Sequence, residues 1–215
     1  MLWLSGELFC NGALQIASTS IFGPAPSLSS LSISDPRPPY PTISPPFPFG
    51  VHPQSHVAEQ FGKLPWYGNS GTFKIKEVPT KYLLKSLTDG SEWGAFVELS
   101  GDQATVQSLP FYVDIFKNMV ALMTPGQPPS WYPTITLSIE FKFPIPADPL
   151  RQLAIFSNGR VAVEGRADHS VELWAVPAEV DVDGEEWKKK CFCLAIGRQI
   201  SLTRVPERNW GGSKI

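Results

Sequence analysis

Three polar side chains stand where polarity is expensive. Asp114 falls between Val113 and Ile115 in an otherwise apolar stretch, where a carboxylate costs free energy unless it is paired or faces a polar pocket. Thr134 opens the polar side of an alternating segment. Gln199 follows Arg198 in the middle of an apolar run, where an unsatisfied amide is unwelcome. Three polar groups on three core elements could converge on one site. The same residues admit a plainer reading. Asp114 could face solvent near a helix start, where its charge suits the helix dipole, Thr134 could be an ordinary strand threonine, and Gln199 could point outward beside Arg198.

Other chemistries find little support. Cys10, Cys191 and Cys193 are odd in number and do not read as a disulfide framework. Cys191 and Cys193 would share one face of a strand, as two small buried side chains in a protein kept reduced. His52, His56 and His169 are scattered, so no metal site and no cofactor is expected. His169 lies in the charged segment Arg166 to His169 and is expected to be exposed, which argues against a His-plus-acid dehydratase. The sequence has no Gly-x-Ser-x-Gly elbow, Gly-x-Gly-x-x-Gly turn or Walker loop. Asp181-Val182-Asp183-Gly184 lacks the remaining ligands of a calcium loop and reads as an exposed turn. Lys and Arg number 18 against 20 Asp and Glu, a net charge of -2 with no basic stripe, which excludes a typical nucleic-acid binder. No apolar run approaches the roughly 18 residues of a membrane span. Met1-Leu2-Trp3-Leu4 has no basic flank, and Glu7 and Asn11 interrupt the run that follows, so no leader is expected.

The elements that must position these residues follow from periodicity. Leu2 to Phe9 and Ala13 to Phe22 flank Asn11-Gly12, a hairpin signal because both central residues take positive φ. Residues 23–58 hold many of the 22 prolines among serines and read as an extended linker. Gly71 to Val78 and Glu92 to Leu99 read as strands. Leu109, Val113, Phe116, Val120 and Met123 recur every three or four residues, the stripe of a single, largely enclosed helix ended by Pro125 and Gly126. In Trp131 to Phe143, Ile135, Leu137, Ile139, Phe141 and Phe143 alternate with polar residues, which predicts a strand with one face on a core. Leu150 to Asn158, Val161 to Val176 and Cys191 to Val205 are further strands, with a projecting loop over residues 177–190. One buried helix wrapped by a curved antiparallel sheet satisfies both apolar faces. This is an α+β arrangement, the hotdog fold, expected over residues 59–206 with a tail at 207–215.

Three segments resemble a known family. Ser108-Leu-Pro-Phe-Tyr-Val-Asp114, Trp131-Tyr-Pro-Thr-Ile-Thr-Leu-Ser-Ile-Glu-Phe-Lys-Phe-Pro144 and Leu194-Ala-Ile-Gly-Arg-Gln-Ile-Ser-Leu202 resemble the second half of thioesterase-like, double-hotdog proteins of a fungal type, relatives of the type II acyl-CoA thioesterases. The resemblance covers roughly residues 60–205. It implies that Asp114, Thr134 and Gln199 hold the water that hydrolyses an acyl-CoA or related acyl thioester. The oxyanion formed needs donors of its own, and a backbone N–H near the helix start, around Leu109 to Phe111, is the expected source. It also implies two hotdogs in one chain, of which residues 1–22 correspond only to the closing hairpin of the first. A lone hotdog leaves a sheet edge and apolar surface uncovered, so a homo-oligomer, in the simplest case a homodimer, is expected. The ending Ser213-Lys214-Ile215 is one side chain from a peroxisomal address; without it a cytoplasmic location follows. Acyl-CoA hydrolysis, release of a specialised-metabolite acyl chain, and a non-catalytic binding or assembly role remain open at this point.

Overall fold

The computed structural model describes residues 2–10, 13–22, 46–64, 73–85, 91–99, 104–105, 108–123, 132–142, 150–163, 165–178 and 184–202. The Asn11-Gly12 turn, linker residues 23–45, Asp181 to Asp183 and the tail with Ser213-Lys214-Ile215 lie outside the described residues. The chain divides into two units, Met1–Ile43 and Ser44–Ile215. In the first, β1 (Leu2–Cys10) and β2 (Ala13–Phe22) pair antiparallel from Leu2↔Phe22 to Cys10↔Ala13.

In the second unit, the segment 46–64 carries the short α1 (His56–Glu59). It is followed by β3 (Phe73–Glu77), β4 (Glu92–Leu99), α2 (Leu109–Asp114), α3 (Met119–Met123), β5 (Thr134–Phe141), β6 (Gln152–Val163), β7 (Arg166–Ala175) and β8 (Phe192–Leu202). The strands form one antiparallel sheet in the order β3-β4-β6-β7-β8-β5. Against its inner face lie α2 and α3. There Leu109, Tyr112 and Val113 of α2 bury against Val97, Ile155 and Leu173 of the sheet, each apolar side chain contributing about 1.5–3 kcal/mol.

Four expectations need correction. The single helix is two short ones. It stops at Asp114, Ile115 is extended (φ -87, ψ 96), and the chain re-enters helix at Met119. Enclosure is also partial, since α3 fully buries only Met119 while Met123 is exposed. Asn158-Gly159, a turn-like pair, runs inside β6, because Gly159 faces Met119 so closely that a Cβ there would lie 2.5 Å from the Met119 Cβ. The alternating strand β5 is a sheet edge, and its apolar residues are only half covered: Leu137 and Ile139 pack on the core, while Ile135 and Phe141 are exposed.

The fourth correction concerns the outer face. Residues 46–58, expected to close the linker, pack there in a second core. Phe47, Phe49 and Val51 bury against Phe96, Phe156 and Trp174. Trp187, in a 3-10 turn at Glu186–Lys190, joins them, so this part of the expected projecting loop folds back onto the sheet. Cys193 is buried in the same cluster and Cys191 packs against it; burial pushes both thiols up to about 12. Prolines and serines dominate the composition around this strap, but its phenylalanines set its fate.

Candidate active site

The approach of α2 to the sheet is set by one glycine. A Cβ on Gly197 of β8 would lie 2.2 Å from the Val113 Cγ1, so α2 seats directly on the backbone of β8. The next residue, Asp114, ends the helix. Two residues along the strand from Gly197 stands Gln199, on the same face.

Asp114, Thr134 and Gln199 meet. The Gln199 side-chain amide donates to Asp114 Oδ1 and, at 2.8 Å, to Thr134 Oγ1. Thr134 Oγ1 donates to the same Asp114 oxygen at 3.4 Å. Gln199 is buried, whereas Asp114 and Thr134 are exposed. Among the described residues both contacts to Asp114 fall on Oδ1. A carboxylate at a helix C-terminus is disfavoured by the helix dipole, and the amide and hydroxyl donors oppose that effect. Arg198 takes no part. It points to the outer face and pairs with Asp168 at 3.1 and 2.5 Å, holding the Asp168 carboxyl below its usual range.

Strict alternation would put Thr134 on the outer face with Thr136 and Ser138. A β-bulge prevents this. Thr134 pairs with Ser201, whereas Thr136 and Leu137 pair with Ile200 and Gln199, so one extra residue, Ile135, enters β5. The bulge turns Thr134 inward, in phase with Leu137.

Beneath this site lies a set of polar groups the sequence reading did not select. The break between α2 and α3 is tied to three strands. Lys117 Nζ donates to both Glu77 oxygens at 2.6 and 2.7 Å, and Trp93 Nε1 donates to Glu77 Oε1 at 2.8 Å. Asn118 caps α3 by accepting the Val120 N–H at 3.0 Å, and its Nδ2 donates to Ser201 Oγ at 2.7 Å. The Met119 N–H donates to His169 Nε2 at 2.9 Å. His169 is thus not exposed; it is 1% accessible, beneath the Phe116 ring. Burial carries its pKa down to about 4. Its phase with Ala167, Val171 and Leu173 was the available signal, masked by the charges of Arg166 and Asp168. His52 is also buried, against Trp187, with Nε2 donating to the Pro177 carbonyl and Nδ1 accepting the Gln54 N–H.

The expected oxyanion donors are engaged elsewhere. The Leu109 and Phe111 N–H groups donate to the Thr105 and Ser108 carbonyls at 3.2 and 3.1 Å, and Pro110 has none. Among the described residues no group of three or more His, Cys, Asp or Glu is placed to hold a metal ion, and no helix is long and apolar enough to cross a membrane.

No protein-family profile matches the sequence, and no curated protein matches it. Solved structures do. The chain is similar to a candidate thioesterase II from Thermobifida fusca, at 22% identity and a TM-score of 0.55, over 93% of this chain and 66% of that one. It is similar also to a protein of unknown function with a hot dog fold from Alicyclobacillus acidocaldarius, at 18% identity and a TM-score of 0.54, over 95% and 68%. The fold is therefore the α+β hotdog expected from the sequence. The chain spans about two thirds of the length of these structures.

Proposed function

We propose that the chain hydrolyses acyl-CoA or a related acyl thioester with a water held by Asp114, Thr134 and Gln199. The observation that carries this reading is the buried Gln199 amide, which reaches from β8 to both the α2 carboxylate and the β5 hydroxyl. A thioester carbonyl is electrophilic, and its thiol leaving group has a pKa of only about 8.5, so a positioned water suffices without a covalent nucleophile. Asp114 accepts a proton as the water oxygen bonds to the carbonyl carbon. The tetrahedral intermediate then expels the thiolate, which takes that proton. Thr134 and Gln199 fix the orientation of the water while this happens. The exposed Phe111, three residues before Asp114, supplies apolar surface for an acyl chain.

The test is acyl-CoA hydrolysis followed by thiol release. Asp114→Asn should lower kcat by about a hundredfold or more, with the unfolding midpoint preserved. Unchanged turnover in that variant would remove the mechanism. We also propose that a second copy covers the sheet at β5, the last strand in the order, where Ile135 and Phe141 are half exposed. Sedimentation at micromolar concentration should give a dimer mass, and a monomer mass would refute it.

A further inference from the structure

Resting on the function proposed above, we propose that His169 is a positioning residue for the Asp114 carboxylate: its unprotonated Nε2, by accepting the Met119 N–H, holds the helix break that ends α2 at Asp114.

The geometry closes a loop. Asp114 contacts Gln199. Gln199 is the cross-strand partner of His169 in the β7–β8 ladder. His169 Nε2 accepts from Met119, and Met119 returns to Asp114 through Ile115 to Asn118. The sheet fixes the amide and the imidazole relative to each other, so the carboxylate's place depends on how firmly the break is held. On the far side of His169, Gly159 faces it across β6 and receives Met119, which leaves α3 little room to slide. The first N–H groups of a helix have no partner within it. In α3, His169 serves Met119 and Asn118 serves Val120.

The imidazole carries a cost that packing alone does not explain. Its Nδ1 is buried with no hydrogen-bond partner among the described residues, and an apolar side chain of similar size would avoid that penalty. What an apolar side chain lacks is the acceptor at Nε2. That acceptor requires the neutral Nδ1–H tautomer, and burial keeps the ring neutral above about pH 4. Asp168, the charged neighbour that acts on His169, pairs with Arg198 on the outer face, and Lys117, two residues before Met119, pairs with Glu77.

The experiment uses the full chain in three forms, wild type, His169→Leu and His169→Gln. In wild type at pH 7, nitrogen-15 spectra of labelled histidine should show the Nδ1–H tautomer for His169 and the opposite, Nε2–H, tautomer for His52. An Nε2–H signal at His169 would overturn the proposal, even if the variants fail to fold and whatever the catalytic reading's fate. The Gln199 side-chain amide protons should be protected from exchange in wild type, lose protection in His169→Leu, and regain it in His169→Gln, whose Oε1 replaces the acceptor. Acyl-CoA hydrolysis should fall about a hundredfold in kcat, with KM within about twofold, in His169→Leu. It should recover to within about fivefold of wild type in His169→Gln. Equal losses in both variants, or an unaffected His169→Leu, would overturn the role. If Asp114→Asn retains activity, the catalytic reading fails alone, and the tautomer and exchange results still decide whether His169 holds the break.

Discussion

Gly197→Ala is the sharpest probe of how the site is assembled. The new Cβ would sit 2.2 Å from Val113 Cγ1, whereas carbon atoms rest at about 3.5–4.0 Å. Restoring contact by moving α2 requires a displacement of more than about 1 Å, passed directly to Asp114. Rotating Val113 instead is possible in principle, because the new Cβ lies 3.6 Å from the Val113 Cβ. However, a helical valine has one strongly preferred rotamer, and Val113 is fully buried, so a swung methyl has to enter occupied space. The helix is therefore expected to shift. Overpacking of this kind costs about 1–3 kcal/mol, read from urea unfolding. A 1 Å misplacement of a catalytic group costs about a hundredfold in rate, read from thiol release with an acyl-CoA. Adding Val113→Ala removes the clashing methyl and should restore most of the rate, although the double variant remains destabilised by its cavity. A Gly197→Ala protein that loses about 1 kcal/mol yet keeps wild-type kcat would show that Val113 simply rotates, and the claim that this glycine seats Asp114 would be wrong.

Other predictions concern stability. His169 binds a proton in the unfolded chain near pH 6.5 but only near pH 4 when folded. Its contribution is present above about pH 6.5 and lost as pH falls toward 4, by about 3 kcal/mol; the downward shift of His52 adds to the same trend. Unfolding free energies measured from pH 7.5 to 4 should therefore fall, less steeply in His169→Gln, and a flat profile would contradict the burial argument. Phe49→Ala should cost about 3–5 kcal/mol, because Phe49 is fully buried against Phe47, Phe96 and Phe156. A urea midpoint unmoved by that change would make residues 46–58 an appendage, as their proline content suggests.

What was legible in the sequence is local phase. Where residue type alone marks an element, as the aromatic and apolar run of β4 does over Glu92–Leu99, expected and observed limits also coincide. Asp114 and Gln199 could be singled out because each interrupts an apolar phase, and the structure brings both to one place. Thr134 shows where phase fails. With a period of two, one inserted residue reverses the face of everything beyond it, and nothing in Thr134-Ile135-Thr136 announces the bulge. The helix break is a milder case. Asn118 is a good cap, but the apolar spacing from Phe116 to Val120 continues across it, so periodicity alone reads straight through. The interactions that hold the break, Lys117 to Glu77 and Met119 to His169, span 40 and 50 residues. They depend on which strands are neighbours, a property of sheet order that no local pattern encodes. Hence the sequence could nominate the residues that touch the water in the proposed reaction but not the ones that keep them still, because the first group is marked by local incongruity and the second only by partners elsewhere in the chain.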